Sequence, residues 1–176
     1  MRIGFCGSMS VGKTTLVNAL KELPEFKDYI SRTERSKYLM ELGIPLNTDS
    51  TIKGQIVFLA ERASELMNEN ILTDRTVIDV MAFTHAAQSI NFNEKDSFDD
   101  LAVRLLSEYD HLFYVSPEGV AIEDNSVRET NSEYRDLIDF TIRHIIKTYS
   151  HKINNITEIS GTTEERIAKV KSVLFP

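Results

Sequence analysis

The 176-residue chain has no tryptophan, a single cysteine and four prolines. One thiol can form neither an intramolecular disulfide nor a cysteine-based zinc cluster, so no covalent or metal framework substitutes for a hydrophobic core. Cys6 falls within a predicted strand, where a small buried hydrophobe is expected. No apolar run approaches the roughly twenty residues that span a bilayer. Met1-Arg2 leads straight into the first strand rather than into a basic, apolar, small-residue leader, so a cytoplasmic protein with no membrane contact is expected. Positive charge is also scarce: 20 Lys and Arg against 27 Asp and Glu give a formal charge of −7. Without a Lys/Arg cluster, an extended nucleic-acid surface is disfavoured, because such surfaces neutralise many phosphates. The acidic excess gathers in 94–100 and 118–124 and reads as solvated loops. A pocket for one or two phosphates stays compatible with this balance. With 41% hydrophobic residues, the chain can bury one core, and a single domain over 1–176 is expected.

Against these absences stands one stretch. Gly7-Ser8-Met9-Ser10-Val11-Gly12-Lys13-Thr14 matches G-x-x-x-x-G-K-[ST] without a mismatch. The run before it, Arg2 to Cys6, reads as a buried strand, and Thr15 to Leu20 reads as the first turns of a helix. Strand, glycine loop and helix together form a P-loop. Its successive backbone N–H groups and the free N–H groups of the helix start converge on one phosphate-sized concavity. Gly7, Ser8, Ser10, Val11, Gly12, Lys13, Thr14 and Thr15, with Gly161 farther along the chain, are expected nucleotide-binding residues. Gly7 and Gly12 permit the backbone path, Lys13 reaches the β- and γ-phosphates, and the Thr14 hydroxyl is placed to ligate Mg²⁺. The expected ligand is Mg·ATP or Mg·GTP. The motif leaves the acceptor open between water and a second substrate.

Further along, Lys27 to Ser31 can form a second strand. A helical stretch from Ser36 to about Leu42 follows, ended by Gly43 and Pro45. Ile52, Ile56, Leu59, Ala63 and Leu66 predict an amphipathic helix. Ile71 to Arg75 reads as a third strand, and a helix is expected from about Val77 to Ser89. Ser97 with Asp100 forms a capping-box pattern that would open a helix carrying Leu101, Leu105 and Leu106 after a polar stretch, 91–96. His111 to Val115 reads as the fourth strand. The stretch 117–131 lacks an apolar period and is long for a connection, which suggests an active-site lid. Ile138, Ile142, Ile145 and Tyr149 give the next helix its inner face, with Asp139 and Arg143 paired at a spacing of four. Ile156 to Ile159 is the last strand. The turn Ser160-Gly161 and the capping box Thr162/Glu165 open a closing helix that buries Ile167, Val170 and Leu174. Alternating strands and helices imply a doubly wound α/β fold: a parallel sheet of about five strands covered on both faces. In such a sheet the loops after the strands line one edge, which gathers Gly7 to Thr14, Arg32 to Arg35, Asp74-Arg75, Ser116 onward and Gly161.

Asp74-Arg75-Thr76-Val77-Ile78-Asp79-Val80-Met81-Ala82-Phe83 resembles the D-R-x-x-x-S-x-x-A-Y stretch of thymidylate kinases, keeping Asp, Arg, Ala and an aromatic at the same offsets. The resemblance implies that Asp74 helps hold hydrated Mg²⁺ and that Arg75 touches the acceptor. Asp79 stands where that family has serine, beside the acceptor, where a carboxylate would repel a phosphate. Phe83 could stack on a base. The segment 122–135 is similar to the D-D-G-x-R…Y-R lid of nicotinamide-riboside-kinase-type, AAA-like P-loop proteins. That likeness implies a lid at about 117–135 in which Arg128 and Arg135 neutralise charge on the transferred phosphoryl group. Glu34-Arg35 sits where both families carry an acidic-basic pair near the acceptor.

The expected function is therefore an ATP- and Mg²⁺-dependent phosphotransferase acting on a small nucleoside or nucleoside monophosphate. Lys13, Asp74, Arg75, Arg128 and Glu34 would be its catalytic groups, and Glu34 or Asp74 would be the base where the acceptor is a hydroxyl. Two other readings remain: a P-loop NTPase without a small-molecule acceptor, and a kinase of hydroxyl groups on modified DNA bases. The sequence leaves room for a homodimer.

Overall fold

The computed structural model describes residues 1–33, 36–118 and 132–176, with Ser36 and Lys37 described by their backbone alone. Five stretches extend as strands: β1 (Arg2–Cys6), β2 (Ile30–Arg32), β3 (Ile71–Thr73), β4 (His111–Val115) and β5 (Ile156–Ile159). They form one parallel sheet in the order β2-β3-β1-β4-β5. β1 and β4 are buried along nearly their whole length, while β2 and β5 alternate with solvent. This is the burial expected of central and edge strands in a sheet covered on both faces.

Among the described residues the helices are α1 (Lys13–Lys21), α2 (Ser36–Glu41), α3 (Ile52–Glu65), α4 (Val77–Ala86), α5 (Phe92–Ala102), α6 (Ser132–Thr148) and α7 (Thr163–Leu174). On one face Leu16, Val17 and Leu20 of α1 and Val170 of α7 pack on Ile3, Phe5, Phe113 and Val115. Phe5 and Phe113 stack there with ring centroids 5.4 Å apart. The other face is covered by α3 to α6, through Phe58, Leu59, Met81, Phe98, Ile138, Ile142 and Ile145. The fold is the doubly wound α/β arrangement that the sequence pattern implies. The chain runs from β1 out to the β2 edge, returns through β3, and crosses β1 to reach β4. The carboxyl end of β1 is therefore the switch point at which such sheets open a crevice.

Several expectations shift. Strand β2 is later and shorter than 27–31, because the Lys27 and Tyr29 N–H groups close turns on the Pro24 and Phe26 carbonyls and pairing begins only at Ile30. Strand β3 stops at Thr73, so Asp74 and Arg75 leave the ladder, and α4 ends at Ala86 rather than Ser89. The Ser97/Asp100 box does not start a helix. α5 begins earlier, where Asn91 accepts the Glu94 N–H at 3.1 Å and Glu94 accepts the Asn91 N–H at 3.0 Å. Leu101 is consequently 54% exposed, while Phe98 and Ala102 are buried. The inner stripe of α3 is also rotated: Ile56 is 50% exposed, and Gln55, Phe58, Leu59, Arg62 and Glu65 are inside. In α7, Arg166 rather than Ile167 joins Val170 as a buried residue.

Candidate active site

The P-loop follows the central strand. Gly7 has φ 154°, and a Cβ there would lie 2.6 Å from the Val115 carbonyl oxygen, so only glycine lets the loop pass β4. Gly12, at φ 87°, is the left-handed N-cap of α1, and the Leu16 N–H donates to its carbonyl at 3.0 Å. Lys13 Nζ donates to the carbonyls of Gly7 at 2.5 Å and Ser8 at 2.8 Å, and lies 3.8 Å from Asp79 Oδ1. Burial draws the Lys13 pKa below its ordinary value; Asp79 opposes this, Arg75 adds to it, and Asp74 again opposes it. The ammonium is held beside the loop by carbonyls and a carboxylate rather than by bulk water. Ser8, Ser10 and Val11 are buried, and Thr15 is exposed one residue beyond Thr14.

Because β3 lies next to β1 and runs parallel to it, the residue after β3 faces the start of α1. Asp74 is 1% exposed. Its Oδ2 accepts the Thr14 hydroxyl at 2.5 Å. Hydroxyl and carboxylate oxygens are hard donors suited to Mg²⁺, which binds through one or two such groups plus phosphate oxygens and water. Thr14 and Asp74, the two residues expected to hold the ion, are thus brought together from 60 residues apart.

Arg75 extends between two rings, its guanidinium 4.9 Å from the Phe83 centroid and 5.6 Å from that of Phe58. Such stacking stabilises by about 0.5–2 kcal/mol per contact and fixes the fork of donors. Phe83 also neighbours Tyr134, with ring centroids 6.4 Å apart. Behind Arg75 lies a buried polar layer. Arg62 donates from Nη1 to the Arg75 carbonyl at 3.1 Å and from Nη2 to Glu65 Oε1 at 2.8 Å, and the Thr73 hydroxyl donates to Glu65 Oε2 at 2.9 Å. Burial raises the Glu65 pKa even though Arg62 and Thr73 pull it down. Sequence reasoning passed over Phe58, Arg62 and Glu65. The signal for Phe58 and Arg62 was an i, i+3, i+4, i+7 stripe from Gln55 to Arg62 that includes a charge, and Glu65 lies three residues beyond it.

Asp79 is fully buried. Its Oδ1 accepts the Gly7 N–H at 3.1 Å, and its Oδ2 accepts the Thr76 N–H at 2.7 Å and the Thr76 hydroxyl at 2.8 Å. The same side chain closes the capping box of α4 and fastens the P-loop. Arg135 is buried in the first turns of α6 and donates to the Pro117 carbonyl at 3.1 Å, just beyond β4. Gly161 lies exposed in the turn after β5, at the same sheet edge. Glu34, Arg35 and Arg128, together with the lid stretch 119–131, lie outside the described residues. No helix among the described residues is long and apolar enough to cross a membrane.

The architecture matches solved structures from end to end. Deoxyadenosine kinase from M. mycoides, solved with the products dCMP and a flexible dCDP, is 17% identical, with 99% of this chain and 98% of that one aligned at a TM-score of 0.71. The same enzyme with bound dCTP aligns at 16% identity, 99% and 98% coverage and a TM-score of 0.67. NadR protein in complex with NAD and AMP-PNP aligns at 14% identity and a TM-score of 0.71, over 97% of this chain and 48% of that one. At such identities the likeness is one of fold. No curated protein matches in sequence. The family model of the AAA domain matches residues 2–166, nearly the full chain, and the protein belongs to that family.

Proposed function

We propose that the protein transfers the γ-phosphoryl group of ATP, with Mg²⁺, to a small nucleoside or nucleoside monophosphate. The observation that carries this reading is the contact of Thr14 with Asp74 at the mouth of the P-loop, with Arg75 immediately after it in an aromatic slot. The first pair provides a metal site on the donor side. The second provides a fixed cation where an acceptor would approach. A hydrolase needs the former but gains nothing from the latter.

In this reading the N–H groups of the loop and of the α1 start hold the β- and γ-phosphates. Lys13 leaves the Gly7 and Ser8 carbonyls for the phosphate oxygens while Asp79 keeps its ammonium near the loop. Mg²⁺, held by Thr14 and Asp74, would supply charge neutralisation between the phosphates. Arg75 orients the acceptor's phosphate or 5′ oxygen, and Phe83 with Phe58 borders the space for its base. Catalysis then rests on positioning and electrostatic stabilisation, as phosphoryl transfer requires. Glu34, Arg35, Arg128 and Arg135 retain the roles that the family resemblances imply for them. An already ionised phosphate acceptor needs no base, whereas a hydroxyl would give its proton to Glu34 or Asp74.

ADP formation from Mg·ATP, followed with and without a panel of nucleosides and monophosphates, tests this. Strong acceptor dependence is the expected result. Turnover independent of every acceptor would favour an NTPase, and turnover stimulated only by DNA with hydroxylated bases would favour the third reading.

A further inference from the structure

We propose that Arg166 is a positioning residue of the nucleotide site, holding the P-loop from behind through the carbonyl of Val11. This rests on the assignment of the P-loop as the ATP site. Arg166 sits on the inner face of α7, and its Nη1 donates to Val11 O at 2.6 Å. The guanidinium reaches so close to the loop that a Cβ at Gly12 would lie 3.1 Å from Nη1. Val11 is the residue before the left-handed turn at Gly12, after which the N–H groups of Lys13 and Thr14 begin α1. A fixed Val11 carbonyl therefore fixes the Val11–Gly12 peptide plane, and with it the Gly12 N–H that immediately precedes those donors.

Packing alone gives no reason for arginine here. The side chain is 4% exposed, and its Nε and Nη2 are buried without a hydrogen-bond partner. Among the described residues no carboxylate pairs with it, and it lies on α7 together with the buried Val170. A buried cation without a counter-ion is costly to fold, and an apolar chain of equal length would fill the same space without that cost. What an apolar chain could not do is hold the Val11 carbonyl, or place positive charge behind a loop that receives a polyphosphate. Sequence reasoning missed the residue because Ile167 offered an apolar alternative one position along. The Arg166 to Val170 spacing of four was the available signal.

The test uses the full chain with Arg166→Met and Arg166→Lys, Mg·AMP-PNP affinity by calorimetry, and the thermal midpoint without nucleotide. Arg166→Met is expected to keep or raise the midpoint and to weaken binding about tenfold to a hundredfold, the range for losing a charged hydrogen bond in a preorganised site. Arg166→Lys, which keeps one donor for Val11, is expected to recover most of the affinity. Wild-type affinity in Arg166→Met overturns the proposal. So does a fall in midpoint that accompanies the affinity loss and is not relieved by lysine, because that marks a packing residue. If Arg166→Met does not fold, amide exchange of Arg166→Gln, whose shorter neutral side chain gives up the charged donor, decides: faster exchange confined to 11–15 supports the proposal, and wild-type exchange there overturns it. A wild-type protein that does not bind the nucleotide would instead overturn the ATP-site assignment, and this proposal with it.

Discussion

The carboxylate of Asp79 accepts the backbone N–H of Gly7 at 3.1 Å across 72 residues of sequence. It therefore joins the first turn of α4 to the first glycine of the P-loop. The Asp74-Arg75 pair lies on the strand-to-helix turn that leads into α4, so the P-loop and this turn share one buried anchor. With Oδ1 on Gly7 and Oδ2 on Thr76, the carboxylate is committed to these partners.

Asp79→Ala removes three hydrogen bonds to a buried carboxylate and leaves two backbone N–H groups without acceptors. A loss of about 2–4 kcal/mol in unfolding free energy is expected, read by urea denaturation. If Asp79 instead met the acceptor alone, stability would hold and only the acceptor KM would change.

Asp74→Asn removes the charge that receives the Thr14 hydroxyl. The rate of phosphoryl transfer is expected to fall roughly a hundredfold or more at saturating ATP. A Mg²⁺ titration should show a higher concentration requirement. An unchanged requirement would place the metal elsewhere.

Arg75→Met keeps an apolar stem between Phe58 and Phe83 but removes the guanidinium. The KM for an acceptor that the wild type phosphorylates is expected to rise about tenfold or more, while Mg·ATP affinity stays unchanged. Equal losses for donor and acceptor would contradict the assignment of Arg75 to the acceptor side.

Tyr109 supplies a pH-dependent prediction. Its hydroxyl is buried and accepts the Val77 N–H at 3.2 Å, and burial raises its pKa well above the ordinary value of 10. The unfolded chain loses this proton above pH 10 while the folded protein keeps it, so the stabilisation is complete below pH 10 and declines as pH rises further. Tyr109→Phe should cost about 1 kcal/mol or more at neutral pH, because the Val77 N–H loses its acceptor. It should also flatten the alkaline decline, and the two stability curves should converge above pH 10.

How legible the molecule was in its sequence depended on range. β1, β4 and β5 and the Thr162/Glu165 cap were readable because their signals are local: a hydrophobic run, or a capping pair three residues apart. The parallel sheet then brought Gly7, Asp74, Ser116 and Gly161 to one edge without further information. Asn91 outcompeted Ser97 as a cap, a choice that local pattern left open because both fit the same rule. The charges at Arg62, Glu65 and Arg166 were hidden for a different reason. Each is tolerated inside through contacts made in three dimensions, with Thr73, the Arg75 carbonyl and the Val11 carbonyl, that no periodicity reports. Asp79 was likewise assigned to the acceptor by its place in the Asp-Arg stretch, and its bond to Gly7 appears only once β3 and β1 lie side by side.

The central claim is tested most directly by mass-resolved product analysis after incubation with ATP, Mg²⁺ and a panel of nucleosides and nucleoside monophosphates, with Lys13→Ala as the control. One acceptor gaining a single phosphoryl group with the wild type, and none with a folded Lys13→Ala, is the predicted result. ADP and free phosphate accumulating with every acceptor unmodified would contradict it.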